Sequence, residues 1–196
     1  MNHPGRSARR ALPCRAADNP GLDGRAPGGR RLGRNPARPH QEDTMADQDR
    51  RTVIAGALLG AGIAASVVDL AVFHLLLHWH HFYDLSTTGV ALASDGLFHA
   101  FGWFVTVGSL FLLADIRRRG AMSWGRWTGG LLAGLGAFQL VDGVVLHKVL
   151  RIHQIRYDVD LLVYDATWIG TAVLALAAGL LLLRRTRPHR TDRPRR

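Results

Sequence analysis

The chain has 196 residues, a formal net charge of +10 and 47% hydrophobic residues, averages that conceal a segregated composition. Residues 1–44 carry nine arginines and six of the eight prolines with no long apolar run, so they cannot bury a core. The single cysteine, Cys14, lies in that stretch, which excludes disulfides and thiolate metal sites and leaves histidine and carboxylate as metal donors.

Residues 1–51 therefore read as a disordered basic N-terminal segment. No apolar core follows its arginines, so it is not a signal peptide. Met45 opens MADQDRR, a polar lead-in that is expected to mark the true start of translation. The other reading is a basic tail lying on an anionic leaflet. Only charge points to nucleic acid, and none is expected as a partner.

Four apolar runs follow, at about 52–77, 96–114, 127–150 and 162–183. Each is close to the roughly 20 residues that cross about 30 Å of hydrocarbon as a helix. None alternates with period two, so helices rather than strands are expected. Residues 184–196 form a second basic tail, expected to be disordered. Arginines cluster before the first run (Arg50, Arg51), between the second and third (Arg117, Arg118, Arg119, Arg126) and after the fourth, whereas residues 78–94 have no lysine or arginine. The positive-inside rule places both termini in the cytoplasm and both short loops outside, in a bacterial inner membrane. Membrane lipids are the expected surroundings, and the pattern is silent on oligomeric state.

The first and third runs align without a gap. AGALLGAGIAASVVDLAVFHLLLHWH and TGGLLAGLGAFQLVDGVVLHKVLRIH match Asp69 with Asp142, His74 with His147 and His80 with His153. Each run is followed by a loop and then by a run with an early aspartate, Asp95 or Asp165. The expected fold is all-α: a four-helix transmembrane bundle built from two parallel-repeat helical hairpins. Gly56, Gly60, Gly130 and Gly134, spaced in fours, predict close helix packing.

Counting depth at about 1.5 Å per residue gathers the ionisable residues into the outer half. His78, His80, His81 and His153 fall at an outer rim, with Asp95 near it. His74, His99, His147 and Asp165 lie about one turn deeper, and Asp69 and Asp142 deeper still. Ionisable residues at such depth point to function. Three imidazoles with a carboxylate suit zinc or copper, so His74, His99 and His147, completed by Asp165 or Asp95, are the expected ligands, one from each helix. Asp69 and Asp142 are expected as acceptors that orient histidines, or as a proton relay. In an α-helix they stand roughly 140° around from His74 and His147, which predicts no direct contact along the same helix.

The segments DGVVLHKVLRIHQIR and SDGLFHAFGW resemble a bacterial family of predicted four-span membrane proteins, a domain of unknown function, over about residues 53–183. That family repeats Asp-Gly…Leu-His followed by Ile-His or His-His, and carries Asp-Gly-Leu-Phe-His-Ala at the second span. Asp69-Leu70 departs from its Asp-Gly form. The resemblance implies the architecture but no activity. An association of some relatives with copper-handling oxidase assembly proteins makes such assembly factors expected partners and copper the favoured metal. Three other readings stand beside metal handling: a b-type haem held by His74 and His147, a membrane metallohydrolase with Asp69 or Asp142 as base, and a structural protein or channel.

Overall fold

The computed structural model describes residues 39–187, with side chains from residue 43. Both expected disordered tails fall wholly or largely outside the described residues. Four helices account for the structure, and no strand occurs among the described residues. Helix α1 runs from Pro39 to Ile63 and continues without a break as a π-helix over Ala64–Leu76. Helix α2 spans Thr88–Arg118, and α3 spans Trp124–Leu140 and continues as a π-helix over Val141–Leu150. Helix α4 covers Leu161–Arg185.

All four are long and apolar enough to cross a membrane. Their outward faces agree: Leu97, Phe104 and Phe111 on α2 are each at least 70% exposed, as are Leu162 and Leu174 on α4. So large an apolar surface belongs against lipid rather than water.

Helix α1 starts at Pro39, ahead of the expected start at 52. Its polar lead-in is held by ion pairs. Arg126 at the start of α3 grips Asp49 through two bonds of 2.6 Å, and Arg51 reaches Asp115 at the end of α2 at 3.0 Å. Helix α2 likewise begins before residue 96, where the Thr87 hydroxyl accepts from Val90 N–H. The Asp160 carboxylate caps α4 by accepting from Leu162 N–H at 3.0 Å.

The helices are not arranged as a square. The two duplicated helices, α1 and α3, form the centre, and α2 and α4 flank them without touching each other. A methyl group on Gly56 would strike the backbone of Trp127, and one on Gly60 that of Leu131. Contacts thus advance together along both chains, so α1 and α3 run parallel and nearly backbone to backbone. Gly134 has the reciprocal role, facing the Ala57 carbonyl. Gly134→Ala is expected to cost about 1–3 kcal/mol through overpacking, measured as lost thermal stability in detergent. Gly170→Ala, with open space around it, should be neutral.

Candidate metal centre

The two π-helices decide the geometry. In an α-helix, residues five apart diverge, but i→i+5 bonding brings them one above the other. Asp69 and His74 are five apart, as are Asp142 and His147. His74 Nε2 lies 3.5 Å from Asp69 Oδ1, and His147 Nε2 lies 3.2 Å from Asp142 Oδ2. The expectation of no direct contact along the same helix fails because neither helix is α at that point.

Each π-helix ends at a left-handed residue, His78 (φ 51°) or Arg151 (φ 52°). There Trp79 N–H reaches back to the Phe73 carbonyl, and Ile152 N–H to that of Leu146. A non-glycine residue in this conformation costs roughly 1–2 kcal/mol, yet the device occurs in both copies at matching positions. It turns the chain inward, so that His80 and His153 are 3% and 1% exposed. These two were expected at the outer rim, and the structure instead buries them beside the aspartates. His80 Nε2 is 3.7 Å from Asp69 Oδ1, and His153 Nε2 is 3.4 Å from Asp142 Oδ1.

The loops lock these rings by a reciprocal exchange. His80 Nδ1–H donates to the Ile155 carbonyl and His153 Nδ1–H to the Phe82 carbonyl, both at 2.9 Å. A carbonyl can only accept, so the proton sits on Nδ1 and the Nε2 lone pair points inward. His74 is fixed in the same sense, with Nδ1 2.8 Å from Asp95 Oδ1. Asp95 also receives His81 Nδ1 at 2.7 Å and Phe82 N–H at 2.7 Å. A hydrogen-bonded row therefore leads from the partly exposed His81 through Asp95 to His74. Asp95 thus holds a ring from behind rather than facing the centre.

The four rings form a packed row, with centroids 4.4 Å apart for His74 and His80, 4.8 Å for His80 and His153, and 4.6 Å for His153 and His147. All six side chains are at most 3% exposed. Both oxygens of Asp69 and of Asp142, and Nε2 of all four histidines, have no hydrogen-bond partner. They approach one another without hydrogen-bond geometry. An unsatisfied buried polar atom costs about 1–3 kcal/mol, more if charged. So dense a group of bare donors could hold a cation. Asp69, His74 and His80 can offer one atom each within 4.8 Å of one another, and so can His80, His147 and His153.

The remaining expected residues lie elsewhere. His99 stands outside both sets, its Nε2 accepting from Trp103 Nε1–H at 2.9 Å. Asp165 is paired with Lys148 Nζ at 2.6 Å. His78 is exposed, and His81 keeps a partly exposed rim position. The structure thus gathers, instead of one residue from each helix, six residues from α1, α3 and the loops that follow them. Helices α2 and α4 contribute only from behind.

The copies differ at one supporting position. Trp168 takes the place in the second hairpin that Asp95 holds in the first, both being 73 residues apart like Asp69 and Asp142. Trp168 donates to the Gln139 carbonyl at 3.0 Å, and the buried Nδ1 of His147 has no partner. Between the loops, Tyr157 O–H donates to Asp84 at 3.0 Å. Burial and that neighbouring charge push the phenol up to about 12.

A family model described as "Predicted membrane protein (DUF2243)" matches residues 55–186, more than half of the chain. The chain belongs to this family. The match takes in all six residues of the cluster and both π-helices. No curated protein and no solved structure matches the chain.

Proposed function

We propose that this member of the family is a membrane metal-binding protein whose buried histidine–aspartate cluster holds zinc or copper. One observation carries the reading: eight inward-facing donor atoms on six buried side chains, the four Nε2 and four carboxylate oxygens, have no partner. Three of the four rings are held from behind on Nδ1, as metal-ligating histidines are. Protons between histidine and aspartate would be the alternative filling, but the approaches of 3.2–3.7 Å lack the alignment of hydrogen bonds. Imidazole-rich donors favour zinc or copper over magnesium or calcium. The arginine distribution supports cytoplasmic termini, which turns the cluster toward the outer face of a bacterial inner membrane. Metal handling there is the role this fits best, and service to oxidase assembly extends it on the family resemblance alone.

The other readings have less to carry them. His80 and His153 fill the space that a haem between His74 and His147 would need. A hydrolase needs substrate access, yet the lipid-side cavity of about 550 Å³ beside Trp168 and Tyr164 has none of the six residues in its wall.

Metal analysis of tag-free protein after loading with Zn(II) or Cu(II) and gel filtration tests the proposal. Retained metal is expected, and its absence for both ions would end the reading. Asp95→Asn should weaken affinity by about 10–100-fold, the usual effect of losing the group behind a ligating histidine. His81→Gln should do so less, because the His81 ring bonds to Asp95 and not to a residue of the cluster.

A further inference from the structure

We infer that the cluster is a two-ion centre, one ion for each hairpin; this rests on the metal reading above. The row of rings is the first reason. His74 and His147 stand at its two ends with His80 and His153 between them, and each end ring contacts both inner ones. Two ligands at about 2.0–2.1 Å from one ion can be at most roughly 4 Å apart. His74 and His147 fall in different sets of donor atoms lying within 4.8 Å of one another, so the donors gather around two centres rather than one.

The donors divide by repeat. Asp69 approaches His74 and His80 through a single oxygen, Oδ1. Asp142 approaches His147 through Oδ2 and His153 through Oδ1. The first hairpin thus supplies two imidazoles and one carboxylate, while His147 and His153 gather with His80, and Asp142 reaches them through its two separate oxygens; each set binds an ion and leaves positions open. The sets meet at the stacked His80 and His153, whose planes differ by 6°. His80 stands within reach of both sets.

Charge points the same way. Asp69 and Asp142 bring two negative charges into the cluster, and among the described residues only histidines approach them as ion-pair partners. One divalent ion would neutralise them but leave donors at one end bare. Two ions satisfy all six residues, and the positive charge left over is offset by the Asp95 carboxylate behind His74 and by hydroxide in an open position. The hairpins are also inequivalent: His74 is backed by Asp95, whereas His147 faces Trp168 at 6.5 Å. The ion on the first hairpin is therefore held more tightly.

The test is Zn(II) stoichiometry on the full, tag-free chain, counting ions that survive gel filtration. Two per chain are expected, falling to one in Asp69→Asn and one in Asp142→Asn. One ion per wild-type chain overturns the two-ion inference and leaves the metal reading standing, whereas none overturns both. Titration with Cu(II) followed by electron paramagnetic resonance gives a check free of variants. The first equivalent should give an isolated copper signal, and the second should broaden or abolish it by coupling between neighbouring ions. Two additive, uncoupled signals would place the second ion elsewhere and overturn the inference.

Discussion

His80→Ala and His153→Ala are each expected to lower metal affinity by more than about 100-fold, while His99→Ala leaves it unchanged. The lower bound comes from orienting partners, whose loss alone costs 10–100-fold; a direct ligand must cost more. His80 has both requirements of a ligand, Nδ1–H given to the Ile155 carbonyl and a bare Nε2 among the aspartates. His153 repeats them with the Phe82 carbonyl. His99 has neither, since its Nε2 is occupied by Trp103. Equilibrium dialysis against buffered Zn(II), with detergent-solubilised variants checked for folding by circular dichroism, measures the difference. Equal affinities for His80→Ala and the wild type would mean that the ring only packs.

The second large effect is on stability. In chelator, the wild-type protein carries two buried carboxylates without hydrogen-bond partners. At Zn(II) concentrations about 1,000 times Kd, binding contributes about 4 kcal/mol, or on the order of 10 °C in Tm for a chain of this size. The double variant Asp69→Asn/Asp142→Asn should cross over. It is expected to melt above the wild type in chelator, because a neutral amide is cheaper to bury than a bare carboxylate, and below it in zinc. Differential scanning fluorimetry in detergent reads both. If the aspartates instead formed ion pairs with protonated histidines, the variant would melt lower in both conditions, because breaking a buried pair costs about 3–5 kcal/mol.

Much of this organisation is legible in the residues. Hydropathy gives four spans, and the ungapped match of the first and third gives the duplication that sets α1 beside α3. What depth counting misses is local backbone. It assumes 100° per residue, which separates Asp69 from His74, whereas the π-helix stacks them. It also assumes that a chain leaving the bilayer continues outward, whereas His78 and Arg151 turn it back with positive φ. Hence His80 and His153 read as rim residues although they are buried. His99 sits at the right depth but on the wrong face of α2.

The repeat itself contained the better signal. Asp69, His74 and His80 recur as Asp142, His147 and His153. By contrast His78 is matched by Arg151, His81 by Gln154 and His99 by Ala172. Keeping only the ionisable residues of the outer half that recur in both copies selects the six that the structure brings together. A pseudo-twofold site built at the seam of two copies must draw the same residues from each, so recurrence is a stronger guide than depth.

The central claim is that these six side chains enclose metal. X-ray absorption at the zinc edge, on full-length protein loaded with Zn(II) and freed of unbound ion, tests it most directly. A nitrogen and oxygen shell at about 2.0–2.1 Å is expected, with the outer-shell scattering of several imidazoles, lost when His80 and His153 are both replaced. Failure to retain zinc, or a shell of oxygen without imidazole scattering, would contradict it.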